Sequence, residues 1–133
     1  MAKKDYSEDL LIQAPTAELL ESQLGWQNVF AQDAEDFGPD SLLGRSNASE
    51  VVLGREVLAA LKRLNPGLSA EAYSQALAQV LQDDITKTLI ALNEEKYKLL
   101  RDGVPVKYRD AAGRLVDKRL RLIDFDHPEN NRY

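Results

Sequence analysis

Two alternating stretches late in the chain, Val104-Pro-Val106-Lys-Tyr108 and the run from Leu115 to Phe125, flank the polar turn Asp110-Ala-Ala-Gly113. Apolar and polar residues that alternate on both sides of a glycine-bearing turn are the pattern of a β-hairpin. Two strands are marginal in water unless something covers their apolar face. The preceding residues must supply that cover, and they read as helical. The expected fold class is therefore α+β in one domain over residues 1–133, helical over 1–102 with a hairpin and tail over 103–133.

The helical part divides at its breakers. Ser7 to Ile12 and Thr16 to Leu24 read either as one helix with an early irregularity or as a turn followed by a helix, because Pro15 disfavours an α conformation before it yet suits a first turn. Gly25 is a C-terminal stop. Residues 26–31 (WQNVFA) are expected as a short strand, and residues 32–40 as an acidic loop. A helix over residues 50–64 places Val51, Leu58, Leu61 and Leu64 near one stripe and ends at Asn65-Pro66-Gly67. Ser69 caps a helix over 70–81 with Tyr73, Leu77 and Val80 or Leu81 at helical spacing. Asp84 or Thr86 caps a last helix carrying Leu89, Leu92, Lys96 and Leu99, closed by Arg101-Asp-Gly103.

Composition excludes several classes. The 133 residues contain no cysteine, so disulfides, thiolate zinc sites and cysteine nucleophiles are absent. No apolar run approaches the roughly 18 residues of a membrane span, and the charged opening Met-Ala-Lys-Lys-Asp-Tyr is unlike a signal peptide. A cytoplasmic protein without a membrane partner is expected. Residues 1–50 carry three basic side chains against ten acidic ones, whereas residues 96–121 carry nine basic against three acidic. Local potential steers a polyanion more than net charge does. Lys107, Arg109, Lys118, Arg119 and Arg121 are therefore candidates for contact with a DNA backbone, although basic residues on a hairpin also serve to solvate it and protect its edge.

Motifs of chemistry are sparse. No Gly-x-x-x-x-Gly-Lys-Ser/Thr loop is present to cradle phosphates. His127 is the single histidine and lies beside Pro128 in a polar tail. Asp124, Asp126 and Glu129 are close in sequence, but a cation needs converging oxygens, and no metal site is assigned to them. Trp26, Phe30 and Phe37 are either core residues or the anchors of a helical protein-interaction module, the alternative to a catalytic protein.

The order of short motifs carries more. Ser7-Glu-Asp-Leu-Leu-Ile12, Leu19-Leu-Glu-x-x-Leu-Gly-Trp26, Leu43-Gly44-Arg45, Leu61-x-x-Leu-Asn65-Pro66, Asn93-x-x-x-Tyr97-x-Leu99-Leu100-Arg101-Asp102-Gly103-Val104, Leu122-Ile-Asp-Phe125 and Pro128-Glu-Asn-Asn131 follow one another along nearly the whole chain. This succession resembles the N-terminal region of the restriction (R) subunit of type I restriction-modification enzymes. The resemblance implies a subunit that begins with an endonuclease domain of the PD-(D/E)xK type and continues into helicase-like ATPase domains. It implies Mg²⁺ and ATP as cofactors of the parent, and DNA and the methylation and specificity subunits as its partners. Acidic oxygens suit a hard cation, and a nearby lysine suits water or phosphate.

The family's Arg-Pro-Asp and Glu-x-Lys strands match no position in this chain, so the principal catalytic residues cannot be placed. The acidic residue that such cores carry on their first helix corresponds to Glu8, with Glu18 its competitor. A structural role at a helix N-terminus is the favoured reading of either carboxylate. By itself the chain is expected to bind no cofactor, to have no nuclease or ATPase activity, and to pair with a second copy through an open hairpin edge.

Overall fold

The computed structural model describes residues 9–29 and 36–132, so Glu8 and Phe30 lie outside the described residues. These residues form two units, one of residues up to 29 with Arg132 and one of residues 36–131. In the first, a π-helical turn over Asp9–Gln13 runs into α1 (Ala14–Leu24), with Pro15 in the first turn of α1. This is the single irregular helix, since a proline so placed lacks an N–H that would have had no helical partner. Gly25 (φ 68°) ends α1 by donating its N–H to Glu21 O at 3.0 Å, and Trp26 N donates to Leu20 O at 3.2 Å. The strand expected from residue 26 does not form over residues 26–29. Asn28 Nδ2 instead donates to Ala17 O (2.8 Å) and Glu21 Oε2 (3.0 Å), which folds the segment back along the helix.

The second unit contains α2 (Gly54–Leu64), α3 (Ala70–Leu81), α4 (Leu89–Asp102), β1 (Val104–Arg109) and β2 (Leu115–Leu120). The α+β class is therefore present, with β1 and β2 as an antiparallel pair. α2 starts four residues later than periodicity predicts. Glu50 belongs to the preceding loop, where its carboxylate accepts Ser46 N–H (3.0 Å) and its carbonyl accepts Arg45 Nη1 (3.1 Å). Arg55, in the first turn of α2, holds the same loop by donating to the carbonyls of Pro39, Ser41 and Leu42 at 2.6–3.2 Å. Ser69 caps α3 as expected, its hydroxyl accepting from Ala72 N. Thr88, not Asp84 or Thr86, caps α4, because Asp84 is engaged upstream in accepting the Thr86 N–H and hydroxyl.

The core lies between the hairpin and two helices. Val104, Val106 and Tyr108 point inward from β1, as alternation requires, and meet Leu120 of β2, Leu61 of α2, and Ala72, Tyr73 and Ala76 of α3. The two alanines are fully buried, and their small size lets the α3 backbone lie close to β1. Gly103 turns the chain from α4 into β1 at φ 88°, and a Cβ there would sit 2.9 Å from Leu120 O. Both facts require glycine. The second strand ends at Leu120 instead of running on to Phe125, which is 63% exposed.

Its partner β1 begins at Val104, opposite Leu120, and beyond that point the chain is held by Asn65. Its side chain takes both backbone groups of Arg121, accepting the N–H at Oδ1 (2.8 Å) and donating from Nδ2 to the carbonyl (2.8 Å). Nδ2 also donates to Leu61 O (3.0 Å), while Asn65 O accepts the Tyr73 hydroxyl (2.6 Å). An amide so nearly buried is tolerated because its bonds are satisfied. No described helix is long and apolar enough to cross a membrane. Asn65→Ala is expected to cost about 2 kcal/mol, since it leaves the part-buried backbone groups of Arg121 without their partner. Urea unfolding should show a lower midpoint with unchanged slope.

Candidate nucleic-acid interface

Register decides which basic residues act together. Across the hairpin Pro105 faces Arg119, Lys107 faces Asp117, and Arg109 faces Leu115. Directly opposed residues of an antiparallel pair share a face, so Lys107, Arg109 and Arg119 lie together on the side away from α3. Lys118 is opposite Val106 and belongs to the other face, although it is exposed. Arg121 lies past the end of β2 and pairs with Asp124 and Asp126, each at 3.3 Å. The structure thus brings three of the five candidates together and separates two.

The three-residue face is open to solvent. Lys107 Nζ is 3.7 Å from Asp117 Oδ2, with both side chains about 70% exposed, and an ion pair of that kind contributes little and is screened by salt. Arg109 donates to Gly113 O in the turn at 2.9 Å, which holds its guanidinium near the hairpin tip. Arg114, at the tip itself, pairs with Asp110 at 2.9 Å. The Arg101 guanidinium holds the Asp102 carboxyl below its ordinary range, with Arg119 and Lys98 adding to the effect. The chemistry available here is a set of cationic donors on a rigid ribbon, suited to phosphate oxygens.

The depression between α3 and α4 is lined by charged groups that already have partners: Lys87 pairs with Glu95 at 2.6 Å, and Lys96 Nζ donates to the carbonyls of Gln79, Val80 and Gln82. Lys96 thereby closes the carbonyl end of α3. Glu18 is exposed in the second turn of α1, beyond the first turn where the helix dipole acts most strongly. Trp26 and Phe37 are partly exposed, at 39% and 48%.

The acidic tail is a turn of its own. Asp124 Oδ1 accepts the N–H groups of Asp126 (3.1 Å) and His127 (3.0 Å), Oδ2 accepts Asn130 Nδ2 (3.0 Å), and Asn131 bonds both backbone groups of Asp124. Asp126 turns to Arg121 and Glu129 to His127. Among the described residues no three metal-ligating side chains converge.

Sequence reading missed two residues beside this face. Gln75 of α3 bonds both backbone groups of Lys107, accepting the N–H at 3.1 Å and donating to the carbonyl at 2.6 Å, while Gln79 Nε2 donates to Pro105 O at 2.5 Å. The available signal was a glutamine pair four apart on a helix and a Pro-x-Lys two apart on a strand. Four helical residues rise about 6 Å and two strand residues about 6.7 Å, so the spacings match.

A family model described as the N terminus of the type I restriction enzyme R protein matches residues 5–133. The chain belongs to that family. The type I restriction enzyme HindI endonuclease subunit of Haemophilus influenzae is 33% identical over 122 residues, which cover 92% of this chain and 11% of the relative. This R-protein N-terminal chain thus spans a small part of that relative's length. No solved structure matches it. Among the described residues of this R-protein chain, the Asp124–Glu129 cluster does not fit the Mg²⁺ that the family resemblance implies, because the oxygens of Asp124 already accept N–H donors and its acidic neighbours turn to Arg121 and His127.

Hydrogen bonds from Asn130 and from the His127 and Asp126 backbone, with Arg121 alongside, hold the Asp124 carboxyl below its ordinary range. A carboxyl lowered in the folded state contributes stability that is fully present above its unfolded pKa and is lost as pH falls through the folded one. Asp124→Asn should therefore lower the urea midpoint at neutral pH, and its deficit should shrink below about pH 4. A deficit constant through that range contradicts the assignment.

Proposed function

We propose that the chain is the N-terminal part of the DNA-cleaving and translocating R subunit of a type I restriction enzyme, and that it provides the helical platform and opening hairpin of a PD-(D/E)xK nuclease core. The family match supports the first half. The second half is supported by a ribbon whose inner face is packed and whose β2 edge has, among the described residues, no partner at Leu115, Asp117 and Arg119. The parent subunit uses Mg²⁺ for cleavage and ATP for translocation, and it works on DNA with methylation and specificity subunits. Its cation-holding carboxylates match no residue here, so this chain alone is inactive, and Glu8 is at most an auxiliary to them.

The observation that carries the DNA reading is the shared outward face of Lys107, Arg109 and Arg119. On a rigid ribbon such cations can follow a phosphate backbone, with Lys118 and Arg121 more peripheral, and the exposed Lys107–Asp117 pair yields to a phosphate at small cost. A second reading draws on α4, where Leu89 (78% exposed), Ile90 (81%) and Tyr97 (58%) form an apolar face suited to protein contact. The open β2 edge also gives the chain a tendency to pair with itself.

Duplex binding by the chain should fall steeply with salt. Combining Lys107→Ala, Arg109→Ala and Arg119→Ala should reduce the log–log salt slope by about 2 to 3. Substituting Lys118 and Arg121 should change it less. Affinity independent of salt would demote the basic face to a solvating one. With Mg²⁺ and plasmid the chain should leave the DNA intact, and nicking abolished by Glu8→Ala would overturn the assignment of inactivity.

A further inference from the structure

We infer that Lys98, Arg101 and Arg119 form a further seat for a DNA phosphate at the junction of α4 and β1, and that the Asp102 carboxylate fills this seat until a phosphate displaces it. The inference rests on the DNA reading proposed above and extends it by two residues of α4. Lys98 stands four residues before Asp102, so the two share a helical face. Arg101 lies beside Asp102 in the last turn, where the carbonyl end of a helix favours cations. Arg119 arrives from the hairpin. It is opposite Pro105 in register, and its Cβ is 3.4 Å from the point where a Gly103 Cβ would stand. The glycine lets the strand come this near to the helix end.

The contacts at this junction suit an exchange of anions. Arg101 gives Asp102 two parallel bonds, Nε to Oδ1 and Nη2 to Oδ2, each 2.7 Å long. A guanidinium offers a phosphate the same two-pronged geometry. Tyr97 backs the guanidinium, whose Cζ lies 5.4 Å from the ring centroid, so the cation keeps its place when the carboxylate leaves. Arg119 and Lys98 add to the hold of Arg101 on the Asp102 carboxyl, so one anion here is held by three cations. Both members of the Arg101–Asp102 pair are about half exposed, and little is lost when a polyanion takes over from an ion pair of that kind. Lys98 also pairs with Glu94 at 3.0 Å, again in the open. With phosphate in the seat, the cationic face of Lys107, Arg109 and Arg119 continues onto α4.

Duplex binding by the chain, followed through a salt series, tests the seat. Arg101→Gln should lower the log–log slope by about 1, as for the loss of one phosphate contact. Arg101→Lys keeps the charge and should retain most of the slope. Substituting the exposed Lys62 of α2, as Lys62→Gln, removes an equal charge from the inner side of the ribbon and should change the slope less. Asp102→Asn should tighten binding about two- to fivefold, the worth of an exposed ion pair. In the Arg101→Gln background that gain should be at least about twofold smaller, because no guanidinium is left to release. A slope that falls no further with Arg101→Gln than with Lys62→Gln overturns the inference. An equal Asp102→Asn gain in both backgrounds also overturns it, since that marks simple repulsion. Lys107→Ala with Arg109→Ala separates the seat from the ribbon: slope lost there but not at Arg101 removes the seat and leaves the ribbon, whereas the reverse removes the ribbon and leaves the seat. If the natural chain binds no duplex at low salt, both fall.

Discussion

The buried Asn65 amide is the junction on which the larger unit depends. It ends α2, receives the Tyr73 hydroxyl of α3 on its carbonyl, and pairs with Arg121 where β2 stops. Three elements that share a core are therefore held in one register by a single residue, whose side-chain amide takes Arg121 and whose backbone carbonyl takes Tyr73. Apolar packing by itself is nondirectional. Leu61, Leu120 and the two valines of β1 would bury as well if the hairpin were shifted along the helices. The directional bonds of Asn65 at one end of the hairpin and of Gln75 and Gln79 along β1 set the alignment.

That alignment has a consequence for the basic residues. Once the inner face of the ribbon is committed to α3, strand alternation sends Lys107, Arg109 and Arg119 to the other side. The chain forms a cationic surface because its apolar positions fix which way the polar ones point. Arg121 leaves this set because the backbone has turned at Asn65 and because Asp124 and Asp126 draw its guanidinium to the tail. The tail in turn is ordered by Asp124, whose oxygens accept N–H groups from the residues that follow it. The conspicuous acidic segment is accordingly a folded turn.

The hairpin, its turn and the α3 cap at Ser69 were legible because they rest on local rules: period-two alternation, a turn glycine and a hydroxyl before a helix. The start of α2 was not, since Glu50 fits a helical stripe but is held in the loop by Ser46 and Arg45. The cap of α4 shifted from Asp84 to Thr88 for a similar reason, as Asp84 had a nearer partner in Thr86. The segment from Trp26 looked like a strand by composition, but the amide of Asn28 found the α1 backbone instead. In each case a polar side chain had two local uses, and the pattern could not rank them.

The sequence by itself determined the α+β class, the hairpin, the family and the list of basic residues, because periodicity, turn chemistry and motif order are properties of the linear chain. Tertiary structure decided which of those residues share a face and where β2 stops. Those outcomes depend on backbone groups meeting side chains 26 to 56 positions away. A hydrogen bond across such a separation leaves no periodic mark in the sequence. It is fixed only when the packed core brings its two partners within reach.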